Sequence, residues 1–162
     1  MPDKLLTKDN LAKVLGRLQK AGKRIVFTNG CFDILHVGHV RYLAAAKSEG
    51  DFLVVGLNSD ASVKSIKGAK RPVIPEGQRA EVLACLSCVD YITLFDEPDP
   101  LKLIQALKPN VLVKGDDWLE EQIVGADFVK SRGGRVVRVP TVRGASTSHI
   151  IKRIIRLFGV EP

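Results

Sequence analysis

The most informative stretch of the sequence is NGCFDILHVGH, residues 29–39. A β-rich apolar run at residues 24–29 leads into it, and a helical pattern that starts near Gly38 and continues to Gly50 follows it. The order is therefore strand, loop and helix. Parallel α/β sheets bind ligands outside the carboxyl ends of their strands, so we expect this loop to border a binding site.

The same alternation repeats along the rest of the chain. The patterns predict strands at residues 24–29, 52–57, 91–95, 111–113 and 135–139, and helices at 38–50, 75–86, 100–107, 120–131 and 147–158. The segment from Lys64 to Pro75 is predicted to be a long basic loop. Apolar strands that alternate with helices indicate the α/β class: a Rossmann-like, doubly wound, five-stranded parallel sheet with helices on both faces.

The length and composition are those of one domain with its own core. With 162 residues, 45% of them hydrophobic, the chain needs no disulfides to hold together. We predict a single domain over residues 1–162, with an N-terminal helix within 1–22 and a Rossmann-like core over 23–158. Thr7 is the expected cap of that first helix, and Leu11 and Leu15 lie on its apolar face.

Cysteine usage and hydropathy indicate the compartment. The chain has 3 cysteines, an odd number, and no apolar leader follows Met1, so a reducing cytoplasm is expected. Every hydrophobic run is broken by charge or glycine well short of the roughly 20 residues that a membrane-spanning helix needs. The sequence predicts a cytoplasmic protein that does not enter a membrane.

The net charge of +7 favours an anionic partner. Aromatic residues make up only 6% of the chain and do not interleave with the basic residues, as a base-stacking surface would require. A small phosphorylated ligand is therefore favoured over nucleic acid. The basic residues of the last helix, Lys152, Arg153 and Arg156, are interpreted as a solvated face near a helix C-terminus.

The chemistry of residues 29–39 suits phosphate. A helix N-terminus presents free N–H groups and a partial positive charge, and Gly30 and Gly38 let the backbone approach a ligand. His36 and His39 are three residues apart, so both imidazoles can point the same way and donate hydrogen bonds. Two alternatives stay open: the histidines are filler, or they bind zinc together with Cys31.

Gly144-Ala145-Ser146-Thr147 precedes the last predicted helix and has two compatible interpretations. Serine and threonine are favoured N-caps, and their hydroxyl and N–H groups can also bind phosphate. The segment from Lys114 to Trp118 follows the fourth predicted strand and should border a nucleoside.

These segments resemble the cytidylyltransferase-like superfamily, and within it the nucleotidyltransferase domains of bacterial ADP-heptose synthases. The likeness covers about residues 5–155 and includes segments 27–39, 55–60, 67–72, 111–115, 123–125 and 144–147. It implies that a substrate phosphate oxygen attacks the α-phosphorus of a nucleoside triphosphate and that pyrophosphate leaves. A phosphate monoester is largely dianionic at pH 7, so no general base is needed.

The resemblance also implies roles for individual residues. The expected catalytic residues are His36, His39 and Lys67. The expected nucleotide-binding residues are Cys31, Phe32, Asp33, Gly38, Lys114, Gly115, Asp117, Ser146, Thr147 and Ser148. The expected substrate-binding residues are Asn58, Asp60, Lys64, Arg71 and Arg79. Mg²⁺ is expected to be bound mainly through the phosphates, with help from Asp33, and the chain is expected to form a homodimer or higher homo-oligomer.

Two branches of the superfamily compete for the substrate. Residues 115–118 resemble glycerol-3-phosphate cytidylyltransferase, but that enzyme's pattern has arginines where this chain has Thr141 and Ser87. We therefore expect AMP transfer from ATP to D-glycero-β-D-manno-heptose 1-phosphate, giving ADP-heptose for lipopolysaccharide or surface-glycan precursors, by a stand-alone enzyme fed by a separate kinase. CTP with glycerol 3-phosphate, and a nucleotide-binding module without catalysis, remain the alternatives.

Overall fold

The computed structural model describes residues 4–159. In chain order its main elements are α1 (Lys8–Lys20), β1 (Ile25–Gly30), α2 (Val37–Lys47), β2 (Phe52–Asn58), α3 (Asp60–Lys67), α4 (Glu76–Ala84), β3 (Tyr91–Phe95), α5 (Leu101–Leu107), β4 (Val111–Gly115), α6 (Ala126–Ser131), β5 (Arg135–Val139) and α7 (Thr147–Phe158). The expected domain limits at residues 1 and 162 lie outside the described residues.

The five strands form one sheet in the order β3-β2-β1-β4-β5, and every neighbouring pair is parallel. The predicted doubly wound parallel sheet is confirmed. Strand order reverses between β1 and β4, because β2 follows β1 on one side while β4 returns to its other side. This reversal is the place where open α/β sheets bind ligands.

Both faces of the sheet are covered because side chains alternate along each strand. Ile25 and Phe27 of β1 join a buried cluster with residues of α1, α5 and α6. Val26, between them, joins a second cluster with residues of α2 and α4 on the opposite face. The strands are apolar on both faces for this reason, and α2 is fixed against the strand it follows.

The segment that was predicted to be a loop from Lys64 to Pro75 begins as a helix. α3 runs from Asp60 to Lys67 and ends at Gly68, whose φ of +94° suits glycine. Ser59 caps the helix by accepting a hydrogen bond from the Ser62 N–H. A serine cap followed by an acidic first turn marks a helix start, so the prediction of a loop is wrong over residues 64–67.

Two other boundaries differ from the prediction. β4 continues to Gly115, so Lys114 lies on the strand and not after it. The helix predicted over residues 120–131 is a short 3₁₀ turn, Glu120–Gln122, followed by α6. Gly125 separates them with a φ of +88°, and a Cβ there would lie 2.6 Å from Ile104 Cδ1. The helical conformation is interrupted at Gly125, where the backbone passes close to α5.

Gly16 lies inside α1, and a Cβ added there meets no described atom within 4 Å. Glycine in a helix interior costs about 0.5–1 kcal/mol relative to alanine. We therefore expect Gly16→Ala to raise the free energy of unfolding by about that amount, measured by urea denaturation. A decrease would show that α1 packs more tightly at this position than the structure indicates.

Across residues 4–159, no helix combines the length and the apolar character that crossing a membrane requires.

Candidate active site

His36 and His39 lie side by side at the start of α2. Their rings stack with centroids 3.8 Å apart and planes 24° apart, and Phe32 packs against His39 at 5.1 Å. Burial lowers the pKa of His36; burial, together with the neighbouring His36, lowers the pKa of His39 to about 4. At pH 7 both imidazoles are therefore neutral, and each carries one N–H donor.

Both histidines have hydrogen-bonding capacity that the described residues leave unused. The two Nδ1 atoms are buried, and neither has a hydrogen-bond partner within residues 4–159. Buried polar atoms of this kind are uncommon and call for an explanation. The two stacked rings therefore lie at the start of α2 with polar atoms that no described residue satisfies.

Gly38 makes the histidine stack possible. A Cβ at this position would lie 2.9 Å from both Cε1 and Nδ1 of His36, and 3.3 Å from the Cβ of Ala145. The Gly38 backbone therefore approaches both the His36 ring and the loop that precedes α7. Only a residue without a side chain allows both approaches.

The N-terminus of α7 lies beside the N-terminus of α2. The Thr147 hydroxyl makes a long 3.4 Å contact with the Ile34 carbonyl, and Ser146 caps α7 by accepting from the His149 N–H at 3.1 Å. The predicted N-cap role is thus present. It leaves the first N–H groups of the helix available to a ligand. We call His36, Gly38 and His39 of α2 with Ser146, Thr147 and Ser148 of α7 the phosphate clamp.

A basic groove extends from the α7 side of the phosphate clamp. It has a volume of about 400 Å³ and is lined by Ser146, Ser148, His149, Lys152, Arg153 and Arg156. The basic residues are exposed, as expected for a solvated face. Their position next to the clamp also makes the local potential favourable for a polyanion.

The carboxyl end of β4 supplies a further cation, Lys114. Lys114 donates to Asn29 Oδ1 on β1 at 2.6 Å, and its ammonium lies 5.6 Å from the centre of the Trp118 ring. Burial lowers the pKa of Lys114 to about 8, although the neighbouring Asp117 opposes the shift. Lys114 is still protonated at pH 7, and it places a positive charge at the point where strand order reverses.

Residues 115–118 are held to the end of β5. Asp116 Oδ1 accepts hydrogen bonds from both the backbone N–H and the hydroxyl of Thr141. A Cβ on Gly115 would lie 2.3 Å from Asp117 Oδ1 and 2.8 Å from Thr141 Cγ2. Thr141 therefore has a local partner, and its small side chain fits closely over Gly115.

Asp33 holds the loop between α3 and α4 in place. Its buried carboxylate accepts from the N–H groups of Val73 and Ile74 and from Arg71 Nε, which lies 2.6 Å from Oδ2. Burial alone would raise the pKa of Asp33, but these donors outweigh it and lower the pKa below its ordinary value of 3.8. Both oxygens are engaged, so the carboxylate is poorly suited to coordinate Mg²⁺.

We expect Asp33→Asn to lower the free energy of unfolding at pH 7 by about 2 kcal/mol. The asparagine amide would place its own N–H group against N–H donors that the carboxylate now accepts from. Because the folded pKa is below the unfolded one, ionised Asp33 stabilises the fold above the unfolded pKa and loses this effect as pH falls through the folded pKa. Urea unfolding from pH 7 to pH 3 should show the two proteins converging at low pH. A constant gap would contradict this.

Arg79, Asp60 and Asn58 are also engaged with protein groups. The fully buried Arg79 donates to the carbonyls of Ile74 and Cys31, and to Asp60 Oδ1 at 2.8 Å. Asn58 is buried and donates to Ser62 Oγ at 2.9 Å. Arg79 thus links the Cys31 carbonyl to Asp60, and a direct contact of these predicted substrate-binding residues with substrate stays a prediction.

Lys67 and Lys64 lie in the last turn of α3, with exposed side chains. Burial raises the pKa of the Cys31 thiol, while the charges of Lys67, Arg79 and Arg71 oppose the shift. Lys67 is therefore close enough to act electrostatically on the loop that carries Cys31. For Lys64 the structure gives only exposure.

The zinc alternative has no support in the geometry. Within the described part of the chain, no three side chains of histidine, cysteine, aspartate or glutamate converge as metal ligands. Cys31, His36 and His39 are therefore not arranged as a metal site.

Two polar residues near the clamp were missed in the sequence. Thr28 is fully buried in β1, and Tyr42 lies on α2 one turn after His39. Their oxygens are 2.6 Å apart, and Tyr42 also donates to the Val113 carbonyl at 3.0 Å. The signal in the sequence was Thr28, a hydroxyl residue within a largely apolar strand, directly before the stretch of residues 29–39.

The fold and the site together define a class of protein. Two helix N-termini, a stacked histidine pair and a partly buried lysine meet at the switch point of a parallel sheet, an arrangement that suits a nucleotide and its phosphates. The chain belongs to the cytidylyltransferase-like family, whose model matches residues 27–153. It is a nucleotidyltransferase.

Individual relatives agree with this assignment. The chain is 57% identical over 158 residues to the bifunctional protein HldE of Geobacter metallireducens, covering 98% of this chain and 32% of that one. It is 56% identical to HldE of Geotalea uraniireducens, covering 93% of this chain and 31% of that one. The chain thus spans about a third of the length of these relatives.

A solved structure shares the fold. The lipopolysaccharide core biosynthesis protein of Thermoplasma volcanium superposes with a TM-score of 0.62 at 31% identity, covering 75% of this chain and 98% of that one.

Proposed function

We propose that this nucleotidyltransferase transfers AMP from ATP to D-glycero-β-D-manno-heptose 1-phosphate, releasing pyrophosphate and forming ADP-heptose. The observation that carries the proposal is the phosphate clamp, in which the N-termini of α2 and α7 lie side by side. The similarity to HldE over nearly the whole chain supports the heptose acceptor. The Thermoplasma relative, named for lipopolysaccharide core biosynthesis, supports the same area of metabolism.

In the proposed reaction an oxygen of the acceptor phosphate forms a bond to the α-phosphorus of ATP. The bond from the α-phosphorus to the oxygen that bridges to the β-phosphate breaks, and pyrophosphate leaves with the electron pair. The acceptor is already anionic, so the protein needs to align the groups and stabilise charge. His36 and His39 would donate to phosphate oxygens as negative charge moves towards the leaving group.

The other clamp residues act on the same triphosphate. Ser146, Thr147 and Ser148 would hold the β- and γ-phosphates with hydroxyl and N–H groups, and Lys67 would add positive charge from the end of α3. Lys114 and Asp117, at the end of β4, would border the nucleoside. Mg²⁺, which neutralises phosphate charge in such reactions, would be held mainly by phosphate oxygens, because the Asp33 carboxylate is engaged elsewhere.

The cytidylyltransferase alternative is less well supported by the residues at the end of β5. The position where that pattern has arginine is occupied by Thr141, which is hydrogen-bonded to Asp116 and packed over Gly115. Ser87, at the second arginine position, is exposed between α4 and β3. Neither residue can supply the missing positive charge.

Pyrophosphate release with each nucleoside triphosphate, measured against heptose 1-phosphate and against glycerol 3-phosphate, tests the proposal. We expect ATP with heptose 1-phosphate to be the fast pair. Faster release with CTP and glycerol 3-phosphate would reject the heptose assignment, and release with no pair would favour a binding module without catalysis.

A further inference from the structure

β1 and β4 separate at the point where the strand order of the sheet reverses. They pair at Val26 with Val111 and at Phe27 with Leu112, although β1 continues to Gly30 and β4 to Gly115. On its other side β1 pairs with β2 along its whole length. Residues 28–30 and 113–115 therefore border an opening in the sheet that adjoins the phosphate clamp.

Side chains bridge this opening in place of backbone hydrogen bonds. Tyr42 reaches in from α2, lies 2.6 Å from Thr28 Oγ1 and donates to the Val113 carbonyl at 3.0 Å. A phenol has one hydrogen, and since Tyr42 gives it to the carbonyl, Thr28 must donate to Tyr42. Burial raises the pKa of Tyr42 to about 12, so the phenol keeps its proton. One residue further along, Lys114 bridges to Asn29.

The same tyrosine fixes α2 to both strands. Residues three apart on a helix lie on neighbouring surface positions, so the Tyr42 anchor is one turn from His39. The helix contacts β1 through Thr28 and β4 through Val113, which sets its rotation and its distance from the opening. Those two quantities determine where the His36 and His39 rings and the first N–H groups of α2 point.

We propose that Tyr42 is a positioning residue for nucleotidyl transfer: by joining Thr28 of β1 to Val113 of β4, it holds the opening at one width and aims the α2 side of the phosphate clamp at the reacting phosphate. The inference rests on the proposed function. Tyr42 itself would touch neither the substrate nor the reacting atoms.

Steady-state kinetics of Tyr42→Phe test the proposal, because the change keeps the ring and removes both hydrogen bonds. We expect kcat for pyrophosphate release to fall about tenfold, since small misplacements of positioned groups are costly in the transition state. KM for ATP should change less than about twofold, because contacts made equally in the ground state are retained. Thr28→Val, nearly isosteric, should lower kcat about threefold by the same route.

Tyr91→Phe is the matched control, since the chain has 2 tyrosines. Tyr91 lies on β3, at the edge of the sheet, and its ring stacks on Phe52 at 6.2 Å. Tyr91→Phe also removes one phenol hydroxyl, but it should leave kcat and KM unchanged. Adding Thr28→Val to Tyr42→Phe should cost no further activity, because both changes break the same link.

The outcomes separate the two proposals. The positioning role is overturned if Tyr42→Phe folds and keeps wild-type kcat. It is also overturned if the variant loses only thermal stability, or if only its KM changes. If that variant does not fold, the Thr28→Val result decides in the same way. Absence of pyrophosphate release from wild type and Tyr91→Phe alike would instead reject the proposed function.

Discussion

Replacing His39 with alanine is expected to lower kcat for AMP transfer by about two orders of magnitude or more, the typical cost of losing a hydrogen-bond donor to a transition state. The His39 ring stacks on His36 and packs against Phe32, and its buried Nδ1 has no partner within the described residues. The free energy of unfolding should change by only about 1 kcal/mol, because no hydrogen bond to a described residue is lost at Nδ1.

Pyrophosphate release and urea unfolding of the same preparation measure the two effects together. Val40→Ala is the matched control, since Val40 is the next residue of α2 and is 39% exposed. It should retain wild-type kcat. Wild-type activity in His39→Ala would remove His39 from the mechanism, and an equal loss in Val40→Ala would assign the effect to damage of the helix.

Gly38→Ala should lower kcat by about tenfold to a hundredfold without unfolding the protein. The new Cβ would lie 2.9 Å from two atoms of the His36 ring, a distance that forces the ring to move. Rotation of the ring breaks the stack with His39, and the methyl group also stands where a phosphate would approach the helix N-terminus.

Gly77→Ala provides a closely matched control. Gly77 is the second residue of α4 as Gly38 is the second of α2, and a Cβ there meets no described atom within 4 Å. We expect Gly77→Ala to keep full activity and equal or greater stability. Full activity in Gly38→Ala would show that the His36 position is not important for the reaction.

Much of the fold could be predicted because it depends on local patterns. The strand at residues 91–95 and the helix at 147–158 were placed with the bounds that the structure has. α3 was missed because this short helix of 8 residues ends in a basic segment, although Ser59 and Asp60 mark its start. The break at Gly125 depends on close contact with Ile104, and a contact between distant residues leaves no periodic signal.

The candidate site was predicted less evenly. His36, Gly38 and His39, which are close in sequence, lie together in the structure, while their roles stay predictions. Asp33 and Arg71 were each assigned to ligands, but the structure pairs them with one another across 38 residues. Two opposite charges that could each bind a substrate can equally bind one another, and only the fold decides which. Tyr42 was missed because its partners, Thr28 and Val113, lie on two separate strands, and such contacts leave no local signal.

The central claim is that the phosphate clamp holds a triphosphate so that an acceptor phosphate displaces pyrophosphate at the α-phosphorus. The most direct test is a single turnover of enzyme and ATP with heptose 1-phosphate labelled with ¹⁸O in its phosphate. We expect all of the label to enter the sugar nucleotide and the pyrophosphate to be unlabelled. Label in the pyrophosphate, or AMP transfer to the protein before the acceptor is added, would contradict it.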